Sequence, residues 1–241
     1  MNKSFNKNGF TLAEVLITLG IIGVVAALTI PTLINNTQKQ DTISKYKKIY
    51  STLTQAVKLS SVDNGDVDNW DWSYTSYDPT GTNLTFMNTY LAPYLLITKA
   101  CTNNGGCWAT IYEPNGTNIR SSVDSDVNYL KYVLADGTTI GLIFRGDKSI
   151  EIIADTNGPK APNIMGKDAF RFILVNKASS SGEASTSVGG LFPCGYGKNI
   201  TSGTSYNAYG CSKSLSSGSA GDFCGIKLIR DGYEIKSDYP W

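Results

Sequence analysis

The chain has 241 residues, a formal net charge of +1 and no histidine. The near-neutral balance offers no basic surplus for a nucleic-acid partner. Without histidine there is no Ser-His or Cys-His nucleophile and no imidazole-ligated metal. Lysine or paired-carboxylate chemistry stays open in principle, but no recognisable constellation supports it. The sequence therefore reads as no enzyme, with no cofactor and no metal site.

A mostly polar leader of nine residues with two lysines, Lys3 and Lys7, ends in Gly9 and leads into an apolar run through the junction Gly9-Phe10-Thr11-Leu12-Ala13-Glu14. From Phe10 to Ile34 the segment is long enough to span a bilayer at about 1.5 Å per residue. Lys3 and Lys7 favour a cytoplasmic leader with the bulk of the chain on the far side. Glu14 is the one carboxylate in this run, and an acid at mid-membrane costs roughly 2.5–3.5 kcal/mol by insertion scales. A secretory signal is cut after its apolar core. Here the obvious break, at Asn8-Gly9, comes before it, so a cut there leaves the apolar helix on the mature chain. Pro31 lies inside the run and is expected to kink it.

The stretch Lys7-Asn8-Gly9-Phe10-Thr11-Leu12-Ala13-Glu14-Val15-Leu16 resembles the junction of type IV pilins and type II secretion pseudopilins. The resemblance covers residues 7–35, where Gly23 and Pro31 also match helix-loosening positions common in pilins. It implies cleavage between Gly9 and Phe10 by a prepilin peptidase, N-methylation of Phe10, and Glu14 as the fifth mature residue. It implies polymerisation through the helix, with Glu14 pairing with a neighbour's new amino terminus in a low-dielectric core, where an unpaired charge is costly. The implied partners are other pilins or pseudopilins, the peptidase, an inner-membrane assembly platform and a cytoplasmic ATPase, with membrane lipid before assembly. The implied location is the inner membrane, single-pass with the N-terminus cytoplasmic, and then the periplasm or cell surface in the filament. The expected domains are a leader at 1–9, a transmembrane and assembly helix at 10–35, and a globular head at 36–241.

Past the apolar run, Ile43, Tyr46, Ile49, Tyr50, Leu53, Ala56 and Val57 recur at three- and four-residue steps, as on one helix face. Asn64-Gly65 is the stop signal, giving one helix of about fifty residues. Residues 66–82 read as a loop with Trp70, Trp72, Tyr74 and Tyr77. These aromatics either cover the core, the favoured reading, or form a glycan- or partner-binding surface. Asn83 to Ala100 reads as partly helical, interrupted at Pro93.

Strand signals follow at Trp108–Tyr112, Tyr129–Ala135, Thr138–Phe144, Ser149–Ala154 and Phe170–Val175. Asp136-Gly137 predicts a type I′ hairpin. Three to five antiparallel strands against the long helix give an α+β fold: a helix with a membrane-spanning half and an amphipathic half, a sheet-based head, and a disulfide-bonded, loop-rich C-terminal region.

Five cysteines, Cys101, Cys107, Cys194, Cys211 and Cys224, lie in the outward-facing part, where disulfides persist. Cys101–Cys107 and Cys211–Cys224 are the expected bridges, leaving Cys194 over. Spacing leaves Cys194–Cys211 open as an alternative. Asp155, Asn157 and Asp168 flank a Gly/Pro-rich connection. Such oxygens beside a glycine can cup Ca²⁺, but the EF-hand spacing is absent and an Asx-type turn is the favoured reading.

Asn176 to Asp222 is rich in Ser, Gly, Thr and Asn and reads as a surface excursion, tied down at Phe192, Pro193, Cys194 and Cys211. Cys224–Arg230 reads as a short strand or helix, and Tyr239-Pro240-Trp241 as an end tucked into the head. The function expected is a structural subunit, minor by virtue of its large head, of a type IV pilus or a type II secretion pseudopilus. The alternative is a filament-borne adhesin or ligand-binding module using Trp70, Trp72 and the Ser/Gly excursion.

Overall fold

A computed structural model describes residue 9 and residues 11–101, 105–117, 119–121 and 123–241. Phe10, Lys3 and Lys7 lie outside the described residues, as do positions 102–104 of the first cysteine loop. Helix α1 spans Leu12–Asn64 and runs through Pro31 without interruption. Its N-terminal half is long and apolar enough to cross a membrane. Thr18, Thr29 and Thr37 donate their hydroxyls to the carbonyls of Glu14, Val25 and Leu33, each at 2.9 Å. These three hydroxyls are thus satisfied inside the helix itself, as an apolar surrounding demands. The helix stops at Asn64 because Gly65 takes φ +77°, a left-handed conformation that glycine adopts without strain.

The chain divides into two compact units, the first ending at Asp41 and the second running Thr42–Trp241. In the second unit α1 buries Ile43, Tyr46, Ile49, Leu53, Ala56 and Val57, the stripe that the periodicity predicts. Among the described residues the other α-helices are α2, Gly81–Tyr90, α3, Gly203–Tyr209, and α4, Cys224–Arg230.

The principal sheet has six strands where three to five were expected. They are β1 (Ile97–Ala100), β4 (Leu130–Leu134), β5 (Thr139–Arg145), β6 (Ser149–Asp155), β8 (Ala169–Val175) and β9 (Gly190–Pro193), in that spatial order and antiparallel throughout. A smaller sheet joins β2 (Ile111–Tyr112) to β3 (Ile119–Ser121) and β7 (Asn163–Ile164). The segment ending at Ala100 closes on β1 as an edge strand rather than continuing as helix.

Alternation sorts the sheet's two faces. Ile150, Ile152 and Ala154 of β6 and Phe170, Phe172 and Leu174 of β8 join the cluster that contains the α1 stripe. Ile153, Ala169 and Met165 pack on the other face with Cys101, Cys107 and Trp108. Gly141 sits on that second face because a Cβ there would stand 3.1 Å from Val123 and 3.3 Å from Ile153.

The β4–β5 connection differs from the expected type I′ turn. Gly137 has φ +86° but Asp136 does not share the positive φ that type I′ requires. Gly137 N–H donates to the Leu134 carbonyl at 3.0 Å and Leu134 N–H to the Thr138 carbonyl at 2.8 Å. This is a three-residue loop with glycine in the left-handed bulge position. Asp136 serves instead as an acceptor, from Thr138 N–H at 3.0 Å and from Lys48 on α1 at 2.9 Å.

Candidate functional site

The junction is built around Thr11 and Glu14. Thr11 stands just before the first helical residue and Glu14 three residues on. Glu14 N–H donates to Thr11 Oγ1 at 3.2 Å, while Glu14 Oε2 accepts from Thr11 N–H and from Thr11 Oγ1, both at 2.8 Å. This reciprocal arrangement is a capping box, which satisfies two of the orphan donors at a helix start. The acid at this position thus has a local partner in the isolated chain. A side chain at Gly9 would meet nothing within 4 Å of its Cβ, and the other residue of the expected cleavage, Phe10, is outside the described residues.

In the second unit Cys101 is joined to Cys107 and Cys211 to Cys224, while Cys194 is free and buried. Asp124 closes the first loop by accepting from the N–H groups of Gly106 at 2.6 Å, Cys107 at 2.9 Å and Trp108 at 3.0 Å. The second bridge ties the excursion to α4.

The excursion from Asn176 to Asp222 does more than cover the surface. It supplies β9 and α3, and it places Glu183, Cys194 and Asp222 around Arg171 of β8. Arg171 pairs with Asp222 and Glu151, and with Glu183 at 2.8 Å. Arg145 pairs with Glu151 at 2.5 Å. Glu151, Arg171, Glu183 and Asp222 are all buried. Burial pulls Arg171 toward losing its proton, but Asp222, Glu151 and Glu183 outweigh it and hold the guanidinium charged. Burial likewise raises Glu151, yet Arg171 and Arg145 keep it below the usual carboxylate range.

Glu183 behaves oppositely. Burial pushes it up to about 8, against Arg171 and with help from the neighbouring acids. Its Oε2 has no hydrogen-bond partner among the described residues, as fits a carboxyl that keeps its proton where three acids face two arginines. The cluster borders an open cleft of about 430 Å³ lined by Tyr77, Arg145, Glu151, Glu183 and Tyr209 among others.

The Asp155 loop adopts an Asx turn, with Asn157 N–H donating to Asp155 Oδ1 at 3.0 Å. Asp155 is fully buried, and burial raises its carboxyl to about 8, with nearby Asp168 adding to the rise. Its Oδ2, Asn157 Oδ1, Asn163 Oδ1 and Thr139 Oγ1 have no partner among the described residues.

Trp70, Trp72 and Tyr74 of the aromatic loop pack inward, whereas Tyr77 is exposed. Trp70 is 3% exposed and stacks on Tyr90 at 4.6 Å between centroids. Trp70 Nε1 and Trp72 Nε1 donate to the carbonyls of Gly65 and Val67, each at 2.8 Å. Tyr74 meets Phe144 edge-on at 5.0 Å. Trp70 is therefore a core residue and offers no ring face to a ligand.

Glu151, Arg171, Glu183 and Asp222 carry no motif and were not expected to meet. Two of them do leave a signal in the sequence: Glu151 inside β6, a strand that also ends on Asp155, and Arg171, the single charge in the otherwise apolar β8. Charged residues are almost never fully buried unless paired, so each of these charges calls for an opposite partner.

Comparison with known families gives two matches. The prokaryotic N-terminal methylation motif matches residues 4–30, and a family of unknown function, DUF6613, matches residues 32–241. No curated protein and no solved structure matches the chain. The methylation motif is the signature of type IV pilins and pseudopilins. Behind that signature, the chain belongs to the family of unknown function DUF6613.

Proposed function

We propose that this protein is a filament subunit of the type IV pilus or type II secretion pseudopilus kind, a minor one by virtue of its large head. Residues 1–9 form a leader removed between Gly9 and Phe10, Phe10 becomes N-methylated, residues 10–35 form the membrane and assembly helix, and residues 36–241 form the head. The precursor resides in the inner membrane, and prepilin peptidase, an assembly platform and other pilins are its partners. The observation that carries this proposal is the methylation motif at residues 4–30, set at the start of an unbroken helix apolar enough to cross a membrane.

The physics of assembly follows from that helix. Apolar side chains such as Leu16, Ile21 and Ile22 are each more than 60% exposed in the isolated chain, so lipid or neighbouring helices must cover them. Small residues such as Gly20 and Gly23, with nothing within 4 Å of where a Cβ would point, let helices approach closely. Glu14 then exchanges its capping-box partner for the charged amino terminus of a neighbour.

Mass spectrometry of protein isolated from its native membrane tests this proposal. The expected amino terminus is an N-methylated Phe10, and Gly9→Val should retain the leader. Native material beginning at Met1 would overturn it.

A further inference from the structure

Among the described residues eight buried side-chain polar atoms have no hydrogen-bond partner. Four of them are oxygens of the β6–β7 connection and the strand beside it: Thr139 Oγ1, Asp155 Oδ2, Asn157 Oδ1 and Asn163 Oδ1. Thr139 opens β5, Asp155 ends β6, and the two stand directly opposite each other in the ladder. Such a pair holds its Cβ atoms about 4.5–5.5 Å apart on one face of the sheet. The chain then folds back, with Asn157 N–H donating to Asp155 Oδ1 at 3.0 Å. Asn163 of β7 donates its side-chain amide to the Gly158 carbonyl at 3.3 Å, and Asn157 donates its own to the Pro162 carbonyl at 3.5 Å. Each amide thus spends its N–H group across the connection and keeps its oxygen unfilled. Gly158, at φ +65°, presses on the β4–β5 loop: a Cβ there would stand 2.5 Å from the Gly137 carbonyl oxygen and 3.8 Å from Thr139 Cγ2. The connection is therefore folded down onto the start of β5.

Charge and hydrogen bonding are both unbalanced at this place. Thr139, Asp155 and Asn163 each have 0% exposure, so solvent does not fill their oxygens. Buried charges are paired or coordinate a metal. Among the described residues no basic group acts on Asp155, and the one charge beside it is a second acid, Asp168, which interacts with Lys167. A buried water would supply hydrogen bonds but no charge. A proton would neutralise the carboxyl but leave amide and hydroxyl oxygens unfilled. A cation meets both needs. No three imidazoles, thiols or carboxylates gather among the described residues, so a soft metal finds no ligand set, whereas carboxylate, amide and hydroxyl oxygens suit a hard ion.

We propose that Thr139, Asp155, Asn157 and Asn163 form a binding site for a hard divalent cation of the Ca²⁺ kind. Ca²⁺ accepts carboxylate, amide and carbonyl oxygens in flexible geometry, while Mg²⁺ demands a near-ideal octahedron and keeps several waters, for which a closed site has little room. Affinity follows the ligand charge, and a single carboxylate places it at about 10⁻⁴–10⁻³ M, the range of extracellular modules. The bound ion would tie the start of β5, the end of β6 and β7 into one piece. The site lies wholly within the second unit, so it stands whether or not the N-terminal helix assembles a filament.

The test uses the full chain in non-ionic detergent, stripped with a chelator and titrated with CaCl₂, MgCl₂ or NaCl at matched ionic strength. Calorimetry reads binding, and the melting temperature reads its effect on the fold. The expected result is one Ca²⁺ per chain, near saturation by ~10 mM, with a raised melting temperature that MgCl₂ and NaCl do not reproduce. Asp155→Asn keeps the shape of the side chain but removes its charge, and should abolish binding. Thr139→Val keeps the volume but removes one oxygen, and should weaken binding at least about tenfold, because even groups behind metal ligands are worth that much. Circular dichroism of both variants without Ca²⁺ should match the native chain, so that lost binding is not lost fold. If Asp155→Asn does not fold, Thr139→Val decides. No heat of Ca²⁺ binding at ~10 mM, binding retained in Asp155→Asn, or unchanged affinity in Thr139→Val would each overturn the site. An equal response to MgCl₂ would also overturn it, as mere screening of surface charge.

Discussion

The ring of Tyr46 fills the space that a side chain on Gly225 would occupy: a Cβ there would come within 3.0 Å of it. Tyr46 is fully buried on α1, with Phe170 at 4.7 Å and Phe172 at 5.8 Å between ring centroids, so it has nowhere to retreat. Gly225→Ala should destabilise the protein by about 1–3 kcal/mol through overpacking. Tyr46→Phe should be neutral or stabilising, because the buried hydroxyl it removes has no partner among the described residues. Because that hydroxyl is one of the atoms the new Cβ would meet, Tyr46→Phe should also recover part of the Gly225→Ala loss. Denaturant midpoints of the two single variants and the double variant check this, and strict additivity would contradict it.

Glu14 caps α1, and the proposed assembly gives it a second task, pairing with a neighbour's amino terminus, that a single substitution can separate from the first. Glu14→Gln keeps an acceptor for the capping box but removes the charge, whereas Glu14→Ala removes both. Both variants should still be cut by the peptidase. If charge pairing drives assembly, Glu14→Gln should be excluded from filaments about as strongly as Glu14→Ala. If only the cap matters, Glu14→Gln should assemble normally. Sheared-filament yields, compared with membrane-retained protein, distinguish the two.

Two buried acids give the head a pH dependence of definite sign. Asp155 and Glu183 rise to about 8 from ordinary values of 3.8 and 4.5. A folded-state pKa above the unfolded one favours the native state below the unfolded pKa, and the advantage fades as pH rises toward the folded value. Stability from these groups should therefore decline between about pH 4 and 8. Asp155→Asn and Glu183→Gln should each flatten that decline in thermal melts across the range. Should Ca²⁺ instead raise the melting temperature of the native chain at pH 8 but not that of Asp155→Asn, the unpartnered oxygens beside Asp155 would be holding a cation rather than a proton.

Arg171 holds three acids, and removing it takes its guanidinium away from buried Asp222 and Glu183 while Glu151 keeps Arg145. Arg171→Leu should cost about 3–5 kcal/mol, the usual penalty for breaking a buried ion pair from one side. A loss below about 1 kcal/mol in urea unfolding would mean that the cluster is open to water.

The Cys211–Cys224 bridge closes a loop of 13 residues in sequence separation and anchors the excursion to α4. Replacing both cysteines by serine should lower stability by about 2–4 kcal/mol. Non-reducing peptide mapping should recover the pairs Cys101–Cys107 and Cys211–Cys224, with an alkylatable thiol at Cys194 only after unfolding.

The features legible in the sequence share one property: each is written locally. The α1 stripe repeats every three to four residues, Gly65 marks its end, and glycine punctuates the β4–β5 hairpin. The features that escaped depend on distant chain. Ile97–Ala100 carries a lysine and a threonine, mostly exposed, so its strand character comes from pairing with β4 rather than from its own pattern. Arg171 and Asp222 are 51 residues apart, and nothing near either announces the other. The polar composition of residues 176–222 suggests surface, yet Glu183 and Asp222 enter the interior because Arg171 is there to meet them. The type I′ expectation at Asp136 fails for a related reason: the loop admits a third residue, which frees the Asp136 carboxylate to reach Lys48.

Cys194 has 0% exposure and its Sγ lies 4.0 Å from the Glu183 carbonyl, in a setting where burial pushes the thiol well above its usual pKa. An odd number of thiols is a hazard wherever oxidants scramble partners, because the unmatched one can steal a mate from a correct bond or weld two molecules together. Sealed among Ile200, Phe223 and Ile226 and kept protonated, this sulfur is quarantined from that exchange. Copies of the chain can then crowd side by side at high local concentration without becoming covalently shackled to one another.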